Sequence, residues 1–392
     1  MEATTDKTSL AEKTKRVLTD YRTLFGLWLL LGVISGLCKQ HAHNNYNIFR
    51  YVFFNTMNGS TLYGESTDGG YWDMNHYGPF FSAIIAPFAM MPEIPGLVLW
   101  CAALSMFMYW TVRKSSFTDY QKIFILWFCA HELLTALFMQ QFNIAIAGIM
   151  LLSYHFVKKE QDQWATFFIV IGFLVKLYGI VGLAFFLFSK HKVRYVLSFV
   201  GWLVVLSCIP MLYSGVEYQI SQYKEWIECL GSKNAENGDS IAQNISLLGL
   251  VHRTSGLQFS DLFIILPGMA LFAIPYLRIK QYANEGFKQT ILASALMFIC
   301  LFSTGTESSG YIIALTGVAI WFTASPWQRD KCDIALMVFA FILTSLSPSD
   351  LFPAYIRKEW VQPYALKALP VAIIWFKLCY EIMTKDYKDT KE

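Results

Sequence analysis

Basic residues in this chain crowd into every second gap between hydrophobic runs, and that alternation restricts the fold more than any other feature. The runs cover residues 23–38, 80–112 (interrupted by Pro92 and Pro95), 120–138, 143–157, 164–175, 177–189, 195–213, 260–277, 290–303, 310–324, 333–347 and 365–383. A membrane span needs about 20 apolar residues. Shorter runs suit tilted, re-entrant or neighbour-buried helices whose ends line a cavity; 164–175 and 177–189, hinged at Lys176-Leu-Tyr-Gly179, are the clearest case. Twenty-one of the 31 Lys and Arg residues fall on one side of the alternation, from Lys7, Lys13 and Arg22 through Arg113, Lys158, Lys190, Arg278 and Arg329 to Lys385 and Lys391. The positive-inside rule then predicts twelve segments with both termini cytoplasmic. Lys176 and Lys377 remain inside apolar runs.

With 55% hydrophobic and 15% charged residues, a string of soluble domains is excluded. The expected fold is an all-α polytopic membrane protein, one integral domain over 23–383 between cytoplasmic tails 1–22 and 384–392. The polar stretch 1–22 is too long for a signal-peptide n-region, and no small-residue cleavage site follows, so the first span is expected to remain uncleaved. Six cysteines (Cys38, Cys101, Cys129, Cys208, Cys300 and Cys379) sit in or at the ends of apolar segments, as small hydrophobes do. Cys229 lies in a polar loop without an obvious partner, and no zinc-type spacing occurs. No metal, cofactor or nucleic acid is expected. The long loops 39–79, 214–259 and 348–364 all fall on the outer face, so function is expected there.

The loop 39–79 is the most polar-aromatic piece of the chain. Asn44, Asn45, Arg50, Tyr71, Trp72, His76 and Tyr77 surround one carboxylate, Asp73. Such residues suit a sugar, whose faces stack on rings and whose hydroxyls bond amides; a loop with an interfacial aromatic belt is the plain alternative. Glu65 and Asp68, in a Gly/Ser/Thr-rich turn, look solvated. Gln141 and Asn143 form a polar turn between two spans, Asn143 being equally suited to helix capping. An ammonium at Lys176 costs about 2.5–3.5 kcal/mol in a lipid-facing span, so it should face a cavity or an anion, unless it snorkels. In 239–253, a short surface helix would bury Ile245, Leu248 and Val251 and turn Gln243, Asn244, His252 and Arg253 to a cleft. His252-Arg253 suits phosphate, Arg offering a planar fork of donors. Glu307 sits where two short spans meet, and pairing with Lys176 or Arg253 is its structural alternative.

Taken in order, these motifs resemble glycosyltransferase family 87, polyprenyl-phosphate-sugar-dependent enzymes of the GT-C superfamily. Asn45-Tyr-Asn-Ile-Phe49 with Gly59-x-x-Leu-Tyr63 is similar to its opening loop, and His76-Tyr-Gly-Pro79 with Pro87 and Pro92 to its aromatic-Tyr-Pro-Pro segment. Gln141-Phe-Asn143 resembles a Gly-Gln-x-Asn turn, and Lys176-Leu-Tyr178-Gly a Lys-x-Tyr-Pro element. Gln243-Asn244-Ile-Ser246-Leu-Leu-Gly249 with Arg253 resembles Asn-Gln-Ser-Leu-x-Gly…Arg. The resemblance spans about residues 23–330. One position departs from it: the family's usual catalytic Asp after the first span is Asn45 here, and an amide is no base at neutral pH. Asp73 or Glu307 would have to replace it, or the protein binds without turnover.

The resemblance implies a GT-C-type bundle in the plasma (inner) membrane that moves a mannose-like hexose, with inversion, from a polyprenyl-phosphate donor to the hydroxyl of a lipid or glycan acceptor on the outer face. Asp73 or Glu307 would be the general base. Arg253, His252 and Lys176 would stabilise the leaving phosphate. The rivals are a lipid-linked saccharide transporter, which usually carries midplane charges and internal repeats, and an inactive sugar-lipid binding protein.

Overall fold

A computed structural model describes residues 10–66, 69–238 and 240–388 of the protein; Lys7, Asp68, Asp239 and Lys391 lie outside them. The chain runs through α1 (Leu10–Thr19), α2 (Tyr21–Cys38), α3 (Asn44–Asn58), α4 (Phe81–Ala89), α5 (Glu93–Lys114), α6 (Asp119–Phe128), α7 (Ala130–Phe138), α8 (Asn143–Lys158) and α9 (Asp162–Val175). A 3-10 helix, Leu177–Phe188, leads to α10 (Lys192–Cys208), α11 (Met211–Ser214), α12 (Val216–Asn237), α13 (Leu247–Ser255), α14 (Leu262–Ala273) and α15 (Glu285–Leu301). The last are α16 (Tyr311–Ala324), α17 (Lys331–Phe339), α18 (Ala354–Ile356) and α19 (Leu369–Thr384). No strand occurs among the described residues.

Local signals set many of the ends. Asp20 caps α2 by accepting the Arg22 N–H, and reciprocal capping boxes open α6 (Thr118 with Gln121) and α17 (Asp330 with Asp333). Pro92 divides the 80–112 run into α4 and α5. The 120–138 run bends by 46° between α6 and α7.

Every expected run is helical, but three helical stretches are long and apolar enough to cross a membrane: α2, α5 and Lys192–Ser214. The bent α6–α7 pair makes a fourth among the described residues. The expected twelve segments therefore stand as helices, not as twelve demonstrated spans. The molecule still has a membrane protein's exterior. On α10 and α14, Val193, Leu197, Phe263 and Leu266 are well exposed, more apolar surface than water-soluble chains tolerate in a patch.

At the centre stand α8, α15 and α16, buried nearly all round, which fits helices that are hydrophobic on every face. Polar bonds near each end of the bundle join segments that the charge alternation puts together. Lys158–Glu285, Tyr21–Asp119 and Arg278 with the Lys385 carbonyl mark one end. Asn45–Met139, Gln141–Glu307 and Asn234–Thr304 mark the other. At that second end, α7, α9, α12 and α15 finish while α3, α8 and α16 begin, so seven helix termini surround one space.

Candidate active site

The space is a cavity of about 350 Å³, within the range of about 300–1,000 Å³ common for small-molecule sites. Its wall is assembled from α3, the 73–77 loop, the α7–α8 turn, the break after α9, one face of α12, and the turn after α15.

Along one wall runs a chain of hydrogen bonds with a charged group at each end. The Lys176 ammonium donates to the Asn143 side-chain oxygen at 2.8 Å. The Asn143 amide donates to the Gln141 oxygen at 2.8 Å, and the Gln141 amide to Glu307 at 2.5 Å. Ser309 adds a second donor to the Gln141 oxygen at 3.1 Å. Lys176 and Glu307 are thus linked through two amides, not in direct contact. The rings of Tyr178 and Tyr77 lie 4.9 and 5.7 Å from the ammonium. Lys176 can sit here because α9 ends beside it and the chain doubles back. A Cβ on Gly179 would come within 2.3 Å of the α9 backbone, so this return needs glycine.

The 71–79 loop is tied down on several sides. The Asn75 side chain accepts the Tyr77 N–H at 3.0 Å and donates to the Tyr77 carbonyl at 2.9 Å. Trp226 donates to the His76 carbonyl at 3.0 Å, and Gly78 to the Val175 carbonyl at 3.1 Å. Tyr77 stacks on Phe49 at 4.8 Å, and its hydroxyl accepts the Phe142 N–H at 3.1 Å. Asp73 lies at the rim with a left-handed backbone, φ 75°, a conformation Asp tolerates better than most residues. One of its carboxylate oxygens accepts the Met74 N–H at 2.8 Å. Burial, with the Lys233 ammonium next, pushes the His76 imidazole down to about 4, so it is neutral at pH 7. Its Nε2 is buried without a partner.

Of the residues singled out in the sequence, Asn45, Asp73, His76, Tyr77, Gln141, Lys176, Tyr178, Gln243 and Glu307 line the cavity. Asn143 lies just behind it. The others stand elsewhere. Arg50 is about 140° round α3 from Asn45 and pairs with Glu93 at 3.2 Å. Asn44 exchanges two hydrogen bonds with the Trp72 backbone, at 2.6 and 2.9 Å.

The expected 239–253 helix starts only at Leu247, because Ser246 caps it through the Gly249 N–H at 3.2 Å. Asn244 precedes it with φ 51°, and Gly249 is packed so close to the Asn244 carbonyl that any Cβ would lie 1.8 Å from that oxygen. Asn244 and Ser246 therefore shape the turn and do not face the cleft. Nor does the His252-Arg253 pair. His252 Nε2 bonds Asp261 at 2.8 Å, while Arg253 donates to the Ser240 and Gln243 carbonyls, both at 2.6 Å. The guanidinium fork holds backbone at the point where phosphate was expected.

The cavity also has a wall that the sequence reading lacks. Leu230, Lys233, Asn234 and Asn237 of α12 line it, as do Ser303 and Thr304. Their i, i+3, i+4, i+7 spacing was the available signal, hidden because 214–259 reads as a polar loop. Among the described residues, no three His, Cys, Asp or Glu side chains converge as a metal set would.

A family model, Glycosyltransferase family 87, matches residues 75–304, more than half of the 392-residue chain. The matched stretch begins after Asp73 and ends before Glu307. Among curated proteins, none matches the chain.

Proposed function

The chain belongs to glycosyltransferase family 87, and from that premise we propose that it moves a mannose-like hexose from a polyprenyl phosphate to an acceptor hydroxyl on the outer face of the plasma membrane. One observation carries this reading: two carboxylates, Asp73 and Glu307, and two ammonium groups, Lys176 and Lys233, line the same amide-rich cavity. Transfer needs both kinds of charge. A base removes the acceptor proton as its oxygen attacks the anomeric carbon, and a cation stabilises the phosphate oxygen as the bond to that carbon breaks.

We assign the base to Asp73. Each carboxylate has one hydrogen-bonded oxygen, Asp73 from the Met74 N–H and Glu307 from Gln141. Asp73 is the exposed one, at the rim where an acceptor can arrive, and Glu307, deeper, is left to bind sugar hydroxyls. Asn45 donates to the Met139 carbonyl at 2.9 Å and acts as a positioning amide at the rim. Lys176 takes part of the leaving phosphate's charge. An apolar groove of about 220 Å³, floored by Ala145 and Ile149 and flanked by Phe88 and Phe168, supports a lipid-tailed donor. Phe142, which lines this groove, donates its N–H to the hydroxyl of Tyr77, which lines the polar cavity.

The test is reconstitution of the full chain in vesicles with polyprenyl-phosphate mannose, glucose and galactose, following donor consumption with and without candidate lipid and glycan acceptors. Consumption of one donor by the wild type and not by Asp73→Asn supports the reading. Tight donor binding without turnover in any combination would favour the inactive binding protein, which Asn45 makes the specific alternative.

A further inference from the structure

We propose that the inner face of α12 recognises the donor head group in two parts, Lys233 taking the phosphate and Asn237 a hydroxyl of the transferred sugar. This rests on the polyprenyl-phosphate-sugar reading above.

Asn237 carries the inference. It lines the cavity, is only 4% exposed, and its side-chain oxygen is buried without a hydrogen-bond partner. A buried acceptor left unpaired is costly, and native structures rarely keep one without a use. The missing partner must be a donor. In a polyprenyl-phosphate sugar the prenyl chain has none, and the ionised phosphodiester has only acceptors. The sugar hydroxyls are the donors that such a ligand brings.

Lys233 stands one turn earlier, where i and i+4 side chains sit about 5–6 Å apart. That is the scale on which a hexose separates its anomeric phosphate from the hydroxyls across the ring. The Lys233 ammonium has an acidic neighbour, Glu236, at 3.6 Å, too long to compete with a direct phosphate bond. Two further contacts hold the face in register. Asn234 accepts from the Thr304 hydroxyl, joining α12 to the turn that bears Glu307. Arg253 grips the Ser240 and Gln243 carbonyls just beyond the helix.

The experiment measures affinity of the detergent-solubilised full chain for polyprenyl phosphate and for polyprenyl-phosphate mannose, glucose and galactose. The ratio between a sugar-bearing ligand and the bare lipid phosphate reports the sugar's share of binding. Asn237→Leu should cut that ratio by up to about tenfold, what one hydrogen bond commonly supplies, with binding of the bare lipid phosphate unchanged. Lys233→Gln should weaken all the ligands by about tenfold or more and leave the ratio intact. The ligand-free melting temperature of Asn237→Leu should not fall, since leucine removes an unsatisfied acceptor; Asn237→Ala gives the same readout if leucine prevents folding. A ratio unchanged by both Asn237 variants overturns the proposal, as does a ligand-free loss of stability that accounts for the binding loss. If the wild type binds none of the sugar-bearing ligands, the donor class itself is wrong and this inference falls with it.

Discussion

The Lys176 ammonium donates to the Asn143 side-chain oxygen across 2.8 Å, and this bond joins the break after α9 to the start of the central helix α8. Through Gln141 it reaches Glu307. A cation and a carboxylate are thereby held beside one cavity without neutralising each other through a direct pair. Lys176→Met should lower turnover at least tenfold, as expected for loss of a charged hydrogen-bonding group worth about 1.5–3 kcal/mol. Lys176→Arg should recover part of it. Initial rates on reconstituted protein check both; wild-type rates in Lys176→Met would remove the ammonium from the mechanism.

Asp73→Asn should reduce turnover by about 10²–10⁴-fold, the usual cost of losing a general base, while donor affinity stays within a few-fold. Glu307→Gln should chiefly raise the KM for donor. If the two variants exchange these phenotypes, the base is Glu307. Asn45→Asp is the companion: a rate above wild type would mean that Asp73 is the weaker base of the two.

Arg253→Ala is expected to act on the fold of the loop and not on phosphate. Its guanidinium holds two carbonyls at 2.6 Å, and loss of such bonds costs about 2 kcal/mol. Thermal unfolding should show this, and Arg253→Lys should rescue only partly, lacking the planar fork. Unchanged stability with lost donor binding would return Arg253 to the phosphate.

His76 predicts the shape of a pH profile. Its folded value of about 4 lies below the ordinary value of 6.5, so between those pH values the unfolded chain binds the extra proton. Its contribution to stability is therefore full above pH 6.5 and disappears as pH falls toward 4. Melting temperature against pH should fall less steeply in that window for His76→Gln than for wild type. Parallel curves would mean the imidazole is not buried neutral.

The charge alternation predicts the membrane sidedness, with the basic gaps cytoplasmic. Cysteines placed at Asp73 and Arg253 should react with an impermeant thiol reagent from outside intact cells, and cysteines at Lys158 and Lys190 should not. Because Cys38, Cys208 and Cys332 are exposed, the assay needs a background without them. Labelling of position 253 from the cytoplasmic side alone would invert the molecule.

By itself the sequence determined the helical class, the position of each apolar run and the end of the bundle where polar residues gather. These depend on local quantities: hydrophobic run length, basic residues in the gaps, and caps such as Asp20 and Thr118. It also held nine of the residues that line the cavity, since groups such as Asp73, Gln141, Lys176 and Glu307 are conspicuous as polar residues beside apolar runs. Tertiary structure alone decided which polar residues share a space. Arg253 and Lys233 are both cations in the same long loop, yet one grips its own backbone and the other faces the cavity. The difference lies in where Ser246 starts α13 and which face of α12 turns inward. Run length showed which runs are short but not what stabilises them, which is burial around α8, α15 and α16. Nor could spacing show the Lys176–Asn143–Gln141–Glu307 chain, whose members come from three separate parts of the sequence and meet only because their helices end together.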